Sequence, residues 1–322
     1  MIEFRNVTKY YGRTKALNGV DLEVAEGTVC VCIGPSGCGK STALKLINRL
    51  LEPTSGEILV NGKSIQQRSA VRLRREIGYV IQSVGLFPHM TVAQNIGIVP
   101  KLFGRDAKWR SQRAEELLEL IGLDPDRYLG KYPAQLSGGE AQRIGVARAL
   151  AANQPILLMD EPFGAVDPLN REILQGEFLS LQKKLRKTIV FVTHDLDEAI
   201  RMGDSIAIMN EGRIIQHDTP EHILAQPADR FVSDFVGTDR AIKRLVRFSI
   251  DDYMRTDDIP TDSAELSISR KERLTIYHTL RDALSRLLAG DHRSLPVFSS
   301  QGEAVGRIFL EDIRRITQEA YR

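Results

Sequence analysis

The sequence has few of the features that mark a secreted, membrane-spanning or nucleic-acid-binding protein. It contains only three cysteines among 322 residues, and its 44 Lys and Arg nearly balance its 42 Asp and Glu, for a formal net charge of +2. It has no apolar run near the ~20 residues that a membrane helix needs, and it does not open on the basic-then-apolar pattern of a signal peptide. These absences argue against a disulfide framework and against a basic nucleic-acid footprint. We expect a protein of a reducing compartment that reaches any membrane through a partner.

The apolar pattern predicts an α/β fold with a mostly parallel sheet. Alternating apolar residues near the N-terminus predict strands, and Asn61-Gly62 is a strong signal for a hairpin turn. Residues from about 92 to 150 have mostly helical periodicity. The short, unbroken apolar runs 155–160 and 188–193 predict strands that are buried on both faces. Such strands, separated by helices, are typical of a parallel sheet covered on each side.

A polar stretch with charges of both signs divides the chain near residue 238. We therefore predict a first domain at residues 1–237, a linker at 238–250 and a small second domain at 251–322. The pattern of the second domain predicts a helix, two strands around a turn, and a final helix. Because so short a unit has little core of its own, we expect it to pack against something else.

Residues 34–42, GPSGCGKST, lie between an apolar strand and a helical segment and match the spacing G-x-x-x-x-G-K-[ST]. Such a loop wraps backbone N–H groups around phosphates, and the following helix N-terminus adds partial positive charge. Lys40 would reach the β- and γ-phosphates of a nucleotide, and Ser41 would bind Mg²⁺. The strand and helix on either side favour this interpretation over a plain glycine-rich turn. The predicted nucleotide-binding residues of this loop are Gly34, Pro35, Ser36, Gly37, Cys38, Gly39, Lys40, Ser41 and Thr42.

A second apolar strand ends on Asp160 and Glu161. Asp160 would hold Mg²⁺ through water and would complete the predicted ATP site. Glu161 would orient or deprotonate the attacking water, a role worth roughly 10²–10⁴ in rate. An Asp-Glu pair at a strand end is by itself usually solvated, so this prediction depends on the glycine-rich loop.

The sequence LSGGE at residues 136–140 precedes another helical segment. Ser137 and Glu140 have the spacing of a capping box, S-x-x-E. The glycines between them leave an exposed helix N-terminus that suits an anion. The capping and anion-binding interpretations are compatible.

These motifs, in this order, resemble those of the ATP-binding subunit of an ABC transporter, and the resemblance covers residues 1 to about 237. Further matches are the adenine-stacking aromatic Tyr11, the glutamine-loop Gln82, the D-loop Asp167 and the switch histidine His194. The resemblance implies a P-loop NTPase of ABC type. It would have a mostly parallel core sheet, an antiparallel β subdomain and a helical subdomain at about residues 83–150.

The resemblance also implies how the site would work. ATP and Mg²⁺ would be the cofactors, and Glu161, His194 and Gln82 would act on the attacking water. Ser41, Gln82 and Asp160 would surround the metal, partly through water. In this family two copies sandwich two ATP molecules, so the signature of one copy would contact ATP held by the other. These signature residues are Ser137, Gly138, Gly139 and Glu140.

Two residues depart from the common family pattern. The signature ends in Glu140, where glutamine is commoner, and the D-loop carries Val166, where leucine is usual. Neither change removes a predicted ligand of the phosphates, the metal or the water. Glu140 adds a negative charge near the phosphates, and we expect it to tune ATP affinity.

Within the family, residues 91–102, 122–140 and 162–175 look most like those of importers of quaternary-ammonium solutes. Glycine betaine, carnitine and choline are such solutes, and their import serves osmoprotection. The resemblance implies a transmembrane permease and an extracytoplasmic solute-binding protein as partners, no nucleic acid, and a peripheral position on the cytoplasmic face of the cell membrane. Other interpretations stay open: an importer of another small solute, an ABC ATPase that acts on nucleic acid, or a non-hydrolysing regulatory module.

Residues 289–316 resemble one cystathionine-β-synthase (CBS) motif, so the second domain is predicted to be a small α/β CBS-like domain. Asp312 matches the acidic residue of the motif, but Phe309 stands where such modules carry a hydroxyl that binds nucleotide. A structural unit and a sensor of ionic strength or of a cyclic dinucleotide both stay open. Because CBS motifs usually pair, we expect a second copy to cover an apolar sheet face of this domain. That face would carry Leu295, Val297, Val305 and Ile308.

Overall fold

The structure, a computed structural model, describes residues 2–81, 85–164, 166, 168–259, 273–299 and 301–319. Alternating buried and exposed residues form a four-stranded antiparallel sheet near the N-terminus. In spatial order its strands are β2 (Thr14–Val24), β1 (Ile2–Tyr11), β4 (Ser55–Val60) and β5 (Lys63–Ser64). Asn61 and Gly62 connect β4 to β5 with φ of 52° and 70°, as a type I′ hairpin turn requires, so the predicted hairpin is confirmed.

A six-stranded sheet forms the centre of the first 237 residues. In spatial order its strands are β10 (Arg213–Asp218), β9 (Ser205–Asn210), β3 (Val29–Ile33), β8 (Thr188–Val192), β7 (Ile156–Asp160) and β6 (Ile77–Val80). Neighbouring strands are parallel except for β10, which pairs antiparallel with β9. Every residue of β3, β7 and β8 is buried, which explains their unbroken apolar sequences and confirms the predicted sheet.

Helices cover both faces of this sheet, and residues 92–150 are mostly helical, as predicted. The helices up to residue 150 are α1 (Lys40–Ile47), α2 (Ala70–Arg75), α3 (Val92–Leu102), α4 (Ala107–Leu120), α5 (Pro125–Tyr128) and α6 (Gly138–Leu150). Those that follow are α7 (Pro168–Leu185), α8 (Leu196–Met202), α9 (Pro220–Ala225), α10 (Arg230–Val236) and α11 (Arg240–Arg244). One hydrophobic core lies between the sheet and α3, α4 and α6, and a second lies between the two sheets and α1. No helix within the described ranges combines the length and apolar character needed to cross a membrane.

The last part of the chain has its own small sheet and core. The sheet consists of β11 (Leu274–Thr275), β12 (Ser294–Phe298) and β13 (Ala304–Phe309), and it packs with α12 (Leu280–Ala289) and α13 (Leu310–Glu319). The predicted helix–strand–turn–strand–helix order is confirmed. The segment before it is helical at α11 and at residues 245–247, and it joins the cores, since Leu245 lies in the third core and Val246 in the first.

The expectation that this sheet needs a second copy to cover it was wrong. Val297 and Ile308 are fully buried within the chain, and Leu295 and Val305 are partly buried against the same core. Apolar residues of α12 and α13 cover this face. The helices on both sides of the hairpin therefore supply the burial that we had assigned to a partner.

Candidate functional site

Three neighbouring strands bring the predicted site residues to one edge of the central sheet. β8 lies between β3 and β7, and Val192 of β8 is paired with Cys32 of β3 and with Asp160 of β7. Because parallel strands end at the same edge, the loops that follow them meet there. These loops carry the glycine-rich segment, Glu161 and His194. The glycine-rich segment lies more than a hundred residues before the other two in the sequence.

The glycine-rich loop follows a path that only glycine can take. Gly34, Gly37 and Gly39 have φ of 155°, 80° and 112°. A Cβ on Gly34 would lie 2.0 Å from the carbonyl oxygen of Met209, and one on Gly39 would lie 2.5 Å from that of Ala16. Gly39 is also the N-cap of α1 and provides no side-chain cap. The first N–H groups of α1 are therefore free of side-chain competition for an anion.

The predicted phosphate and metal ligands already hold each other in place. The buried ammonium of Lys40 donates to the carbonyl oxygens of Gly34 (2.7 Å) and Pro35 (3.0 Å). The Ser41 hydroxyl donates to Oδ1 of Asp160 at 3.0 Å. Burial raises the pKa of Asp160, and the hydrogen bond from Ser41 partly opposes this. A hydroxyl and a carboxylate at this distance are the oxygen ligands that Mg²⁺ prefers, so the donor set fits the metal.

Glu161 and His194 form a second pair at the same edge. Oε1 of Glu161 lies 3.4 Å from Nδ1 of His194, whose side chain is mostly exposed. Glu161 has a φ of 46°, and its N–H donates to the carbonyl of Val192 at 2.9 Å. Positive φ is uncommon for a residue with a side chain and concentrates at functional sites. The pair can hold a water molecule and accept its proton.

The signature begins helix α6 as a capping box, as predicted. The Ser137 hydroxyl accepts from the N–H of Glu140 (3.3 Å), and Oε2 of Glu140 accepts from the N–H of Ser137 (2.7 Å). A helix start leaves four N–H groups without helical partners, and the box satisfies two of them. The N–H groups of Gly138 and Gly139 make no hydrogen bond to any residue that the structure describes. They are therefore left for an anion.

The other carboxylate oxygen of Glu140 has a partner that the sequence did not indicate. Oε1 accepts a short hydrogen bond from the phenol of Tyr128 at the end of α5. This bond, followed by that from the Ser137 N–H, lowers the pKa of Glu140. The negative charge that we expected near the phosphates is thus bonded to its own helix and to Tyr128.

The remaining predicted residues differ in what the structure says of them. Tyr11 lies at the end of β1 with its ring exposed, which leaves the ring accessible for stacking, and the Lys9 ammonium lies over the ring at 5.6 Å from its centroid. Gln82 and Asp167 lie outside the described residues. Their predicted roles stay predictions.

One buried asparagine organises the loop before α3. The side-chain amide of Asn95 donates to the carbonyls of Phe87, Met90 and Thr91, and its Oδ1 accepts from the Phe87 N–H. Asn95 is fully buried in an otherwise apolar helix face. An amide side chain on an otherwise apolar helix face is a signal that can be read from the sequence, because a buried amide needs hydrogen-bond partners.

The last part of the chain contacts the helix that follows His194. Arg281 of α12 forms a short ion pair with Asp197, in the first turn of α8. Arg201 of α8 donates to the Tyr277 carbonyl (2.6 Å) and to Gln175 (3.1 Å). Gln175 in turn donates to the buried carboxylate of Glu198 at 2.9 Å. Two sets of polar contacts therefore join the tail to the helix that follows His194.

Comparison with known proteins is consistent with this geometry. The family described as ABC transporter matches residues 17–164. The osmoprotectant import ATP-binding protein OsmV of Salmonella typhimurium is 47% identical over 98% of this chain and 80% of its own length. The choline transport ATP-binding protein OpuBA of Bacillus subtilis is 47% identical over 97% and 84%. The glycine betaine uptake system ATP-binding protein YehX of Escherichia coli is 45% identical over 97% and 99%.

Solved structures match about two thirds of the chain. The dimeric structure of the bacterial ABC transporter cassette MJ0796 is 36% identical, with a TM-score of 0.63, over 68% of this chain and 98% of that one. A second structure of the same cassette is described as a post-hydrolysis state bound to ADP and Pi.

The glycine-rich loop yields a prediction about stability. Gly34→Ala should lower the free energy of unfolding by about 2–4 kcal/mol, because its Cβ would collide with backbone. Gly37→Ala is the matched control, since it also has positive φ but meets no atom within 4 Å. It should cost only about 1 kcal/mol. Urea unfolding without nucleotide measures both, and equal losses would contradict the proposed close packing.

Proposed function

This chain belongs to the ABC transporter family of ATP-hydrolysing proteins, and from that membership we propose that it powers import of a quaternary-ammonium osmoprotectant through a separate membrane permease. The observation that carries the solute class is the set of relatives matched over nearly the whole chain. At 45–47% identity, they are named for osmoprotectant, choline and glycine betaine transport. An importer of another small solute is the alternative.

The glycine-rich loop would bind the phosphates of ATP. Lys40 would exchange the carbonyls of Gly34 and Pro35 for β- and γ-phosphate oxygens, which keeps its buried charge compensated throughout. Ser41 and Asp160, with Gln82, would hold Mg²⁺, which neutralises phosphate charge. The exposed ring of Tyr11 would stack on adenine.

Glu161 and His194 would act on the attacking water. The carboxylate of Glu161 would accept its proton, and His194, 3.4 Å away, would hold the water and the γ-phosphate in line. The positive φ of Glu161 turns its side chain out of the strand at the sheet edge where the loops meet. Asp167 is proposed as the D-loop residue of the same site.

A second copy would complete each site. The free N–H groups of Gly138 and Gly139 and the Ser137 hydroxyl would bind the γ-phosphate of ATP held by the partner's glycine-rich loop. The dimeric cassette of similar fold supports this arrangement.

The permease would dock on the side of the helical subdomain. Asn95 shapes the loop at residues 87–91 and keeps Phe87 exposed on it, so this loop offers a rigid, partly apolar contact. The chain would then lie at the cytoplasmic face of the cell membrane. An extracytoplasmic solute-binding protein would deliver the solute to the permease.

The tail would regulate hydrolysis through its network with α8. Asp197, which pairs with Arg281 of the tail, is three residues after His194. A shift of the tail would therefore move the segment that carries His194. Asp312, by contrast, is buried in an ion pair with Arg255, and the Arg255 guanidinium lies 4.3 Å from the Phe309 ring centroid. The Arg255 guanidinium thus contacts both residues at the position where such modules bind a nucleotide. We therefore favour ionic strength over a cyclic dinucleotide as the signal.

Glu161→Gln should bind ATP but hydrolyse it at least about 10²-fold more slowly, because an amide cannot accept the proton of water. Steady-state phosphate release and equilibrium dialysis with labelled ATP measure the two properties. Glu211→Gln is the matched control, since Glu211 is exposed and has the same φ of 46°. Wild-type turnover by the Glu161 variant would contradict the assignment.

The solute class is tested in vesicles that contain the chain with its permease and binding protein. Uptake of labelled glycine betaine, choline or carnitine should require internal ATP, because the permease is expected to move the solute only when the two copies close on ATP. Lys40→Ala should abolish uptake, since it removes the phosphate-binding ammonium. Hydrolysis without uptake of any quaternary amine would favour the alternative solute.

Arg281→Gln should weaken the response of transport to ionic strength by at least about twofold, because it removes an ion pair that links the tail to α8, and salt screens the attraction between such charges. The matched control is Arg230→Gln, whose side chain is almost fully exposed and pairs within α10. Uptake measured across a salt series compares the two. An unchanged salt response in the Arg281 variant would support a structural tail.

A further inference from the structure

The signature places the carboxylate of Glu140 at the same helix N-terminus that is proposed to receive a phosphate. Gly138 and Gly139 leave N–H groups for an anion, while Glu140, one residue later, carries its own carboxylate. A carboxylate at this position stabilises the helix, but it also repels an approaching phosphate. The position of that carboxylate therefore decides whether it supports or opposes ATP binding.

Tyr128 and the N-cap residue together engage the Glu140 carboxylate. The Tyr128 phenol donates to Oε1 of Glu140, while Oε2 accepts from the Ser137 N–H, so both oxygens are engaged. The Lys131 ammonium lies 4.0 Å from the centroid of the Tyr128 ring and lowers the pKa of Glu140 further. The Lys131 ammonium thus lies over the Tyr128 ring, and its positive charge also favours the ionised form of Glu140.

The backbone just after Tyr128 is hydrogen-bonded to the first turn of α3. The N–H of Ala93 donates to the carbonyl of Leu129 (3.1 Å), and the N–H of Val92 donates to that of Lys131 (2.8 Å). These bonds join the first turn of α3 to the segment that follows Tyr128. The phenol is therefore presented from a fixed backbone, and its ring is buried.

We infer that Tyr128 is a positioning residue for ATP binding across the two copies, because its phenol holds and partly neutralises the Glu140 carboxylate, whose charge would otherwise oppose phosphate at the Gly138 and Gly139 N–H groups. This inference rests on the proposed function, in which the signature contacts ATP held by the second copy. Tyr128 itself touches no nucleotide. It acts through Glu140 alone, so a neutral residue at position 140 should make it dispensable.

The test uses the full chain with Glu161→Gln as a common background, so that bound ATP persists. Tyr128→Phe should raise the concentration for half-maximal ATP-dependent dimerisation by at least about tenfold, the size expected for losing a hydrogen bond to a charged group. Sedimentation with MgATP measures dimerisation. Equilibrium dialysis at low protein concentration should show ATP affinity of the single copy unchanged within about twofold, because its own glycine-rich loop is untouched.

Rescue separates a charge effect from a packing effect. In a Glu140→Gln chain, Tyr128→Phe should change dimerisation by less than about twofold, because no carboxylate remains to be held. Tyr132→Phe is the matched control: its hydroxyl makes no hydrogen bond to a described residue, so dimerisation should not change.

Two results would overturn the inference. One is unchanged dimerisation in the Tyr128 variant, and the other is an equal loss with glutamate or glutamine at position 140, which would show a merely structural ring. Failure of the proposed function looks different, because the background chain would then form no ATP-dependent dimer at all.

Discussion

The parallel pairing of β3, β8 and β7 is the constraint on which the rest of the site depends. Hydrogen bonds that match Cys32 and Asp160 to the same residue of β8 place three strand ends at one edge. The strands can occupy the centre of the sheet because every side chain on them is buried between two cores. A shift of one residue in this pairing would turn Asp160 away from Ser41 and reverse the faces of an entire strand.

Within that frame, the two buried charged residues at the described part of the site, Lys40 and Asp160, each have a hydrogen-bond partner within the chain. Lys40 is compensated by loop carbonyls and Asp160 by a hydroxyl. These partners lower the free-energy cost of burying the two charged groups. They also leave Lys40 and Asp160 able to bind a ligand, because carbonyls and hydroxyls can be exchanged for phosphate oxygens or a metal ion. The signature follows the same logic, because its capping box leaves two N–H groups while engaging its own carboxylate.

The tail is connected to this site by polar contacts rather than by its main core. Its small apolar core closes over its own sheet, which removes the need for a covering copy. The tail contacts the first 237 residues in two ways. Arg281 pairs with Asp197 of α8 and Arg201 of α8 donates to the Tyr277 carbonyl, while Val246, just before the tail sheet, lies in the first core. Electrostatic links of this kind respond to ionic strength more readily than apolar packing does.

The sequence by itself determined the features that depend on neighbours along the chain. The path of the glycine-rich loop, the Asn61-Gly62 turn, the Ser137 capping box and the buried strands follow from local backbone preferences and from apolar periodicity. Only the tertiary structure decided that Tyr128 holds Glu140, that Arg281 reaches Asp197 and that α12 and α13 bury Val297 and Ile308. The physical reason is that these contacts join residues on different elements. Periodicity states which side of an element is apolar, but the packing of elements against each other selects the partner.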